Sequence, residues 1–339
     1  MKFCVLFCSV ICGLPLIASA TPNEQGQQAI TSQLQPLASK ALVLDIKNAG
    51  NTLVAVGERG HILRLAPTGN WQQVLTPSRN LLTRVTFVDA VNGWAVGHDA
   101  TVMHSNDAGA TWQLQYRSEE LARPLMDVYF HDAQQGLAVG AYGLFLRTQD
   151  GGKHWQREFH DELLNADDAQ YLQQLKTDDP QAYQQESDSI LPHFNRLLPL
   201  SDGRLLLVGE MGLVAVSNDM GVHWQRLMFP YEGSLFAAKE YNGKIYVGGL
   251  RGNLFASDLS LQSWQSITLP QKTTINGITQ VAGQLWLVGN SGVIIRLDAD
   301  NQAQLVRQLK GENLLALAVA PKGGLWLAGT KGLQPITLE

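Results

Sequence analysis

Short apolar runs ending in small residues and a glycine recur along this chain, each followed by two variable positions and usually a second glycine. Four copies read Val54-Ala-Val-Gly57-Glu-Arg-Gly60, Trp94-Ala-Val-Gly97-His-Asp-Ala100, Leu137-Ala-Val-Gly140-Ala-Tyr-Gly143 and Leu206-Leu-Val-Gly209-Glu-Met-Gly212. Three more read Tyr246-Val-Gly-Gly249-Leu-Arg-Gly252, Trp286-Leu-Val-Gly289-Asn-Ser-Gly292 and Trp326-Leu-Ala-Gly329-Thr-Lys-Gly332. Successive lead glycines lie 40, 43, 69, 40, 40 and 40 residues apart. Strand-sized segments repeating at such a period predict one β-propeller blade per repeat, because a single blade cannot bury both its faces alone. Seven copies predict an all-β fold, a seven-bladed β-propeller over residues 21–339.

The second repeat shows the blade most clearly. Residues 82–88 are rich in β-branched and aromatic side chains and read as the innermost strand, followed by strands at 94–97, 101–105 and 113–117. The link from third to fourth strand is an Asp-box, Ser105-x-Asp107-x-Gly109-x-x-Trp112. It recurs as Thr148, Asp150, Gly152 and Trp155, and as Ser217, Asp219, Gly221 and Trp224. The carboxylate accepts backbone hydrogen bonds of its own turn, the glycine permits positive φ, and the tryptophan fills the space between blades. One carboxylate per loop falls short of a calcium site, so the motif reads as structural. The last repeat stops before an outer strand. Residues 28–38 are the expected replacement, closing the ring on the last blade and hiding two strand edges.

The long interval holds an insertion after blade three. Residues 156–192 carry nine acidic residues against Arg157 and Lys176, with Leu163, Leu164, Tyr171, Leu172 and Leu175 at helical spacing. Asp161 is the expected N-cap of a first helix, and Asp178-Asp-Pro180 the start of a second. Chain geometry places this acidic helical lobe on the face of the disc that carries the Gly-x-x-Gly turns.

Composition changes the picture at one end. Lys2, an apolar stretch from Phe3 to Ile17 and the Ala18-Ser19-Ala20 site read as a secretory signal peptide, 1–20, removed on export. The expected location is therefore periplasmic, with no membrane insertion after cleavage. All three cysteines, Cys4, Cys8 and Cys12, fall within that segment. Outside the acidic insertion the charge is nearly balanced, which argues against nucleic acid as a partner. The histidines are scattered without ligand spacing, and the Gly-x-x-Gly turns precede strands rather than helices, so neither a metal nor a phosphate cofactor is expected.

Candidate binding residues are the polar positions on the turn face and at the channel mouth: Arg59, Arg84, His98, Tyr142, Arg196 and Arg251. Arg84 and Arg196, standing between Asp45 and Asp127, also have a structural reading as mutual ion pairs. Arg64, His104, Arg147 and Arg296 share one position on the third strand, where bonding between blades is the alternative to a ligand site.

The phrase apolar-Val-Gly-x-x-Gly-x-apolar-apolar-Arg-Ser/Thr, followed by x-Asp-x-Gly-x-x-Trp, resembles the photosystem II stability/assembly factor family of BNR/Asp-box propellers. Its clearest stretches are residues 61–64, 93–112, 136–155 and 203–224. The resemblance implies an exported, seven-bladed, non-catalytic protein that uses an arginine-bearing face to hold a membrane-protein assembly intermediate. By motif position Arg64, Arg147 and Arg296 match the family's third-strand arginine. The bacterial-type signal and the acidic insertion depart from the pattern, so the expected client is an envelope membrane complex, such as an RND-type exporter, rather than a photosystem. The Asp-box also occurs in sialidases, which makes a glycosidase or carbohydrate-binding propeller the alternative. No Arg-Ile-Pro segment is present, however, and Glu58 and Glu210 are merely repeat-equivalent turn residues.

Overall fold

A computed structural model describes residues 31–337. Seven antiparallel sheets follow one another along the chain, at residues 43–74, 82–116, 125–158, 194–226, 235–266, 275–308 and 314–336. The first six have four strands in sequence order and the seventh has three. The chain is thus a seven-bladed propeller, with each inner strand along a central channel. Neighbouring blades bury apolar clusters between them. Trp94 stacks on Phe130 at 3.5 Å between blades two and three, and Phe130 meets Trp155 edge-on at 5.9 Å. The helical insertion follows blade three.

The recurrent lead glycine has a steric cause that is the same in every blade. Its backbone is extended, φ −166° at Gly140, so conformation does not demand glycine there. Space does. A Cβ on Gly140 would lie 2.2 Å from the carbonyl oxygen of Pro124, just before the inner strand, and one on Gly97 would lie 2.1 Å from that of Leu81. These same carbonyls accept the N–H of the residue after the glycine, Ala141 at 3.0 Å and His98 at 2.9 Å. The apolar-Val-Gly phrase therefore marks where the second strand closes onto the entry of the first.

The described part of the expected closing strand lies elsewhere. Residues 28–30, like the signal segment 1–20, fall outside the described residues, and 31–37 contain no strand. Ser32 exchanges two hydrogen bonds with Thr76 (2.8 Å each), Gln35 donates its N–H to the Gln73 side chain, and Arg79 holds the Thr31 carbonyl. The segment thus runs along the outer edge of blade one, held by the Ser32 hydroxyl and by the Gln73 side chain, which also donates to the Gln33 carbonyl. A 3₁₀ turn, Ala38–Lys40, then inserts Ala38 into the core shared with Leu53 and Leu333. Blade seven meets blade one through this apolar packing.

The insertion forms two helices, α1 (Ala166–Asp178) and α2 (Pro180–Ser187). The first is capped by Asn165, which accepts the Asp168 N–H at 2.9 Å; Asp161 instead opens a 3₁₀ turn, Asp161–Leu163. Asp179 caps the second helix through Gln181 and Ala182, with Pro180 at its first position. Residues Gln156–Glu158 are the outer strand of blade three, so the insertion begins after them. Leu163, Leu164, Leu172 and Leu191 bury against Phe194, Leu213 and Trp224 of blade four. Gly143 donates to the Pro192 carbonyl, and Arg226 bridges the carbonyls of Leu163 and Met211. The lobe is docked on the turn face, as chain geometry requires.

Candidate partner-binding face

Six of the seven Gly-x-x-Gly turns put their second variable residue in the left-handed region: Arg59, Asp99, Tyr142, Met211, Arg251 and Ser291, with φ between 53° and 58°. That conformation favours glycine or asparagine and costs other residues about 1–2 kcal/mol. Four of these six strained positions nevertheless carry long side chains, Arg59, Tyr142, Met211 and Arg251. Tyr142 is 47 % exposed and Met211 55 %, and Arg59 and Arg251 are exposed without an ion pair among the described residues. Tyr142 is supported by His193 at 4.5 Å, with the Arg123 guanidinium 5.5 Å from its ring centre. His98, beside Asp99, is exposed on the same face, and its carbonyl is held by Asn80. Arg59, His98, Tyr142 and Arg251 therefore share one face, joined there by Met211 and the nearly bare Met228. Met211 sits at the same turn position as Arg59, Tyr142 and Arg251 but is apolar, so a search for polar candidates passes over it.

Arg84 does not belong to that surface. It is only 7 % exposed, with its Nη1 3.0 Å from Asp45 and its Nε 3.1 Å from Asp127. Burial opposes its charge, but the flanking Asp45 and Asp127 outweigh this and hold its pKa above the ordinary arginine value. Arg196 continues the chain, 3.8 Å from Asp127 and donating to the Phe236 carbonyl at 3.2 Å. The carboxylates also reach backbone: Asp45 accepts the Val85 N–H and Asp127 that of Leu197. These contacts link blades one to five, so the ion-pair reading is the correct one for both arginines.

The third-strand basic residues are also structural where they reach a neighbour. Arg64 of blade one donates to the Ala108 carbonyl in blade two, and Arg147 of blade three to Met220 and Gly221 in blade four. Arg147 additionally forks onto Glu158 at 2.6 and 2.9 Å. Arg296 pairs with Gln304 within its own blade, and His104 packs tilted against Trp94 at 4.7 Å. Each arginine that crosses between blades grips the turn carrying the next blade's aspartate.

Those turns are closed by hydrogen bonds of their own residues. In blade two the Ser105 hydroxyl donates to Asp107 and accepts the Gly109 N–H, while Asp107 accepts the Thr111 N–H and Trp112 donates to the Gly109 carbonyl. In blades three and four Asp150 and Asp219 are held down to about 2 from an ordinary 3.8. At Asp150 the backbone N–H of His154 and then its imidazole are responsible; at Asp219 desolvation acts upward but His223 outweighs it. Gly152 and Gly221 supply positive φ beside Trp155 and Trp224. A carboxylate whose folded pKa lies below its unfolded value stabilises the fold above pH ~4, and that contribution disappears as pH falls towards 2. The melting temperature should drop across this window, and less steeply in an Asp150→Asn, Asp219→Asn double variant; parallel slopes would show that the turns titrate alike folded and unfolded.

The architecture and motifs define a seven-bladed propeller of BNR type. The family model described as photosynthesis system II assembly factor YCF48 matches residues 63–123, and the chain is similar to that family. A curated relative, photosystem II assembly protein Ycf48 of Synechococcus sp. (strain JA-2-3B'a(2-13)), is 38 % identical over 55 residues. That match spans 16 % of either chain, so it covers about a sixth of the relative's length. Two solved structures share the whole fold. YCF48 bound to D1 peptide is 17 % identical, with a TM-score of 0.64 over 91 % of this chain and 96 % of that one. YCF48 from Cyanidioschyzon merolae is 16 % identical, with a TM-score of 0.65 over 88 % and 96 %.

Proposed function

We propose that this chain is a non-catalytic, exported scaffold or assembly factor that holds a membrane-protein client on its turn face. The observation that carries this reading is the ring of left-handed turn residues. Strain retained at equivalent positions under exposed Arg, Tyr and Met side chains repeats those groups on one face, and aromatic and arginine anchors are what protein interfaces use. Its likeness to a family that includes a solved YCF48 bound to D1 peptide supports a protein client. The secretory-type N-terminus supports a periplasmic location and an envelope complex, of the RND-exporter kind, as that client.

Crosslinking in intact cells, followed by mass spectrometry, should recover an envelope membrane protein. Arg59→Glu with Arg251→Glu should weaken that capture at least about tenfold while leaving the melting temperature within 2 °C or so, since both side chains are exposed and neither forms an ion pair among the described residues. Capture of no envelope protein, together with turnover of a sialoside by the pure chain, would overturn the reading in favour of a glycosidase.

A further inference from the structure

The third residue of each inner strand forms a tier around the channel, and the tier is lopsided. Blades one to four supply Asp45, Arg84, Asp127 and Arg196, whereas blades five to seven supply Ala237, Gly277 and Ala316. On the charged side the carboxylates have a definite task. Asp45 accepts the channel-facing N–H of Val85 at 3.2 Å, and Asp127 those of Val128 and Leu197 at 2.9 and 2.8 Å. Each of these amides belongs to the fourth residue of an inner strand, past the same register shift.

The equivalent amides on the other side are Ala238, Ile278, Leu317 and, continuing the ring, Ile46. No side-chain acceptor among the described residues reaches any of them, because the preceding blade offers Arg196, Ala237, Gly277 or Ala316 instead of an aspartate. Four adjacent channel donors thus lack the carboxylate that their counterparts have, and small side chains leave room for one. The channel they line holds about 1080 Å³, just above the ~300–1000 Å³ typical of ligand sites.

Charge points the same way. Asp45 and Asp127 are balanced by Arg84 and Arg196, while Lys47 and Lys239 line the channel two residues further along their strands. Lys239 has no carboxylate within 4 Å among the described residues, and Glu240 is occupied by the Ser201 N–H at 2.7 Å. Lys47 also lies 3.8 Å from Asp45, so four cations face the three carboxylates Asp45, Asp127 and Glu240, and the excess of one positive charge at Lys239 favours an anion there.

We propose that the channel binds a small organic carboxylate, seated against the amides of Ala238, Ile278, Leu317 and Ile46 and drawn in by Lys239. The ligand's carboxylate takes the place that Asp45 and Asp127 occupy on the opposite wall. This site is separate from the turn face and does not depend on the client.

The test is calorimetric titration of the signal-free chain with citrate in low-salt buffer. Saturable binding is expected, weakened at least about tenfold by Lys239→Met. Ala237→Asp supplies an internal carboxylate to the Ile278 amide by analogy with Asp45 and Val85, and should abolish binding while the free protein melts no lower. Arg59→Glu, on the turn face, should leave the affinity unchanged. Inorganic phosphate should bind more weakly than citrate. Failure of citrate to saturate, equal affinity for phosphate, or wild-type binding by the Lys239→Met protein would each overturn the proposal; if Ala237→Asp does not fold, Lys239→Met still decides.

Discussion

Replacing Arg84 by methionine is expected to destabilise the propeller by about 3–5 kcal/mol, one of the two largest single-residue effects in this chain. The methionine fills a similar volume, so packing is kept and the loss isolates the charge. What remains is Asp127, buried and 3.1 Å from where the guanidinium stood, together with Asp45 on the other side. Breaking a buried pair is far more costly than never having made it, because the surviving carboxylate keeps its desolvation cost without its partner. The double-sided geometry makes the control decisive. Arg84→Met with Asp45→Asn and Asp127→Asn removes all three charges but keeps amide oxygens for the Val85 and Leu197 N–H groups, and should recover most of the stability. Burial pushes the Asp127 carboxyl upward even beside Arg84, so the deficit of the single variant should shrink as pH falls towards ~4. Urea denaturation across that pH range measures both effects. A single variant within about 1 kcal/mol of wild type would show that the charged tier is dispensable, and would return Arg84 to the candidates for partner binding.

Arg84 also shows how far the sequence can be read. The period of glycine phrases is a geometric repeat, so blade number, strand order and the aspartate turns follow from it, and the odd interval marks the lobe. Individual side chains are harder, because the repeat aligns Arg84 with Asp45, Asp127 and Ala237 without saying which neighbours they meet across the ring. That depends on contacts between residues 40 positions apart, such as Val85 with Asp45. The same limit applies at the ring's seam. Residues 31–35 have strand-like composition, yet Ser32 and Gln35 find better partners in Thr76 and Gln73 at the edge of blade one than any open strand edge offers. Asn165 displaces Asp161 as helix cap because the docking of Leu163 and Leu164 sets where the helix can begin. Tyr142, by contrast, is legible as a surface candidate. A bulky residue between two turn glycines has nowhere to go but outward.

Gly140→Ala should cost about 3 kcal/mol, although it adds one methyl group to a residue with an ordinary extended backbone. The methyl would lie 2.2 Å from the Pro124 carbonyl oxygen and 2.8 Å from the Cα of Leu125, both rigid backbone. Relief requires the inner strand to move away from the second strand, which stretches the 3.0 Å bond from Ala141 to that carbonyl and loosens the entry into the blade. Gly203 provides the comparison. It sits at φ 89° with open space for at least 4 Å around the position a methyl would take, so Gly203→Ala suffers only the conformational penalty of about 1 kcal/mol. Thermal or urea unfolding of the two variants separates crowding from backbone conformation as the cause of the repeat's lead glycine. Equal losses would mean that the close approach relaxes freely, and the glycine would then need another explanation. A larger loss at Gly140 would locate the requirement in the contact that all seven blades share, since Cβ atoms at Gly57, Gly97, Gly209, Gly249, Gly289 and Gly329 meet the equivalent carbonyl at 2.1 to 2.3 Å.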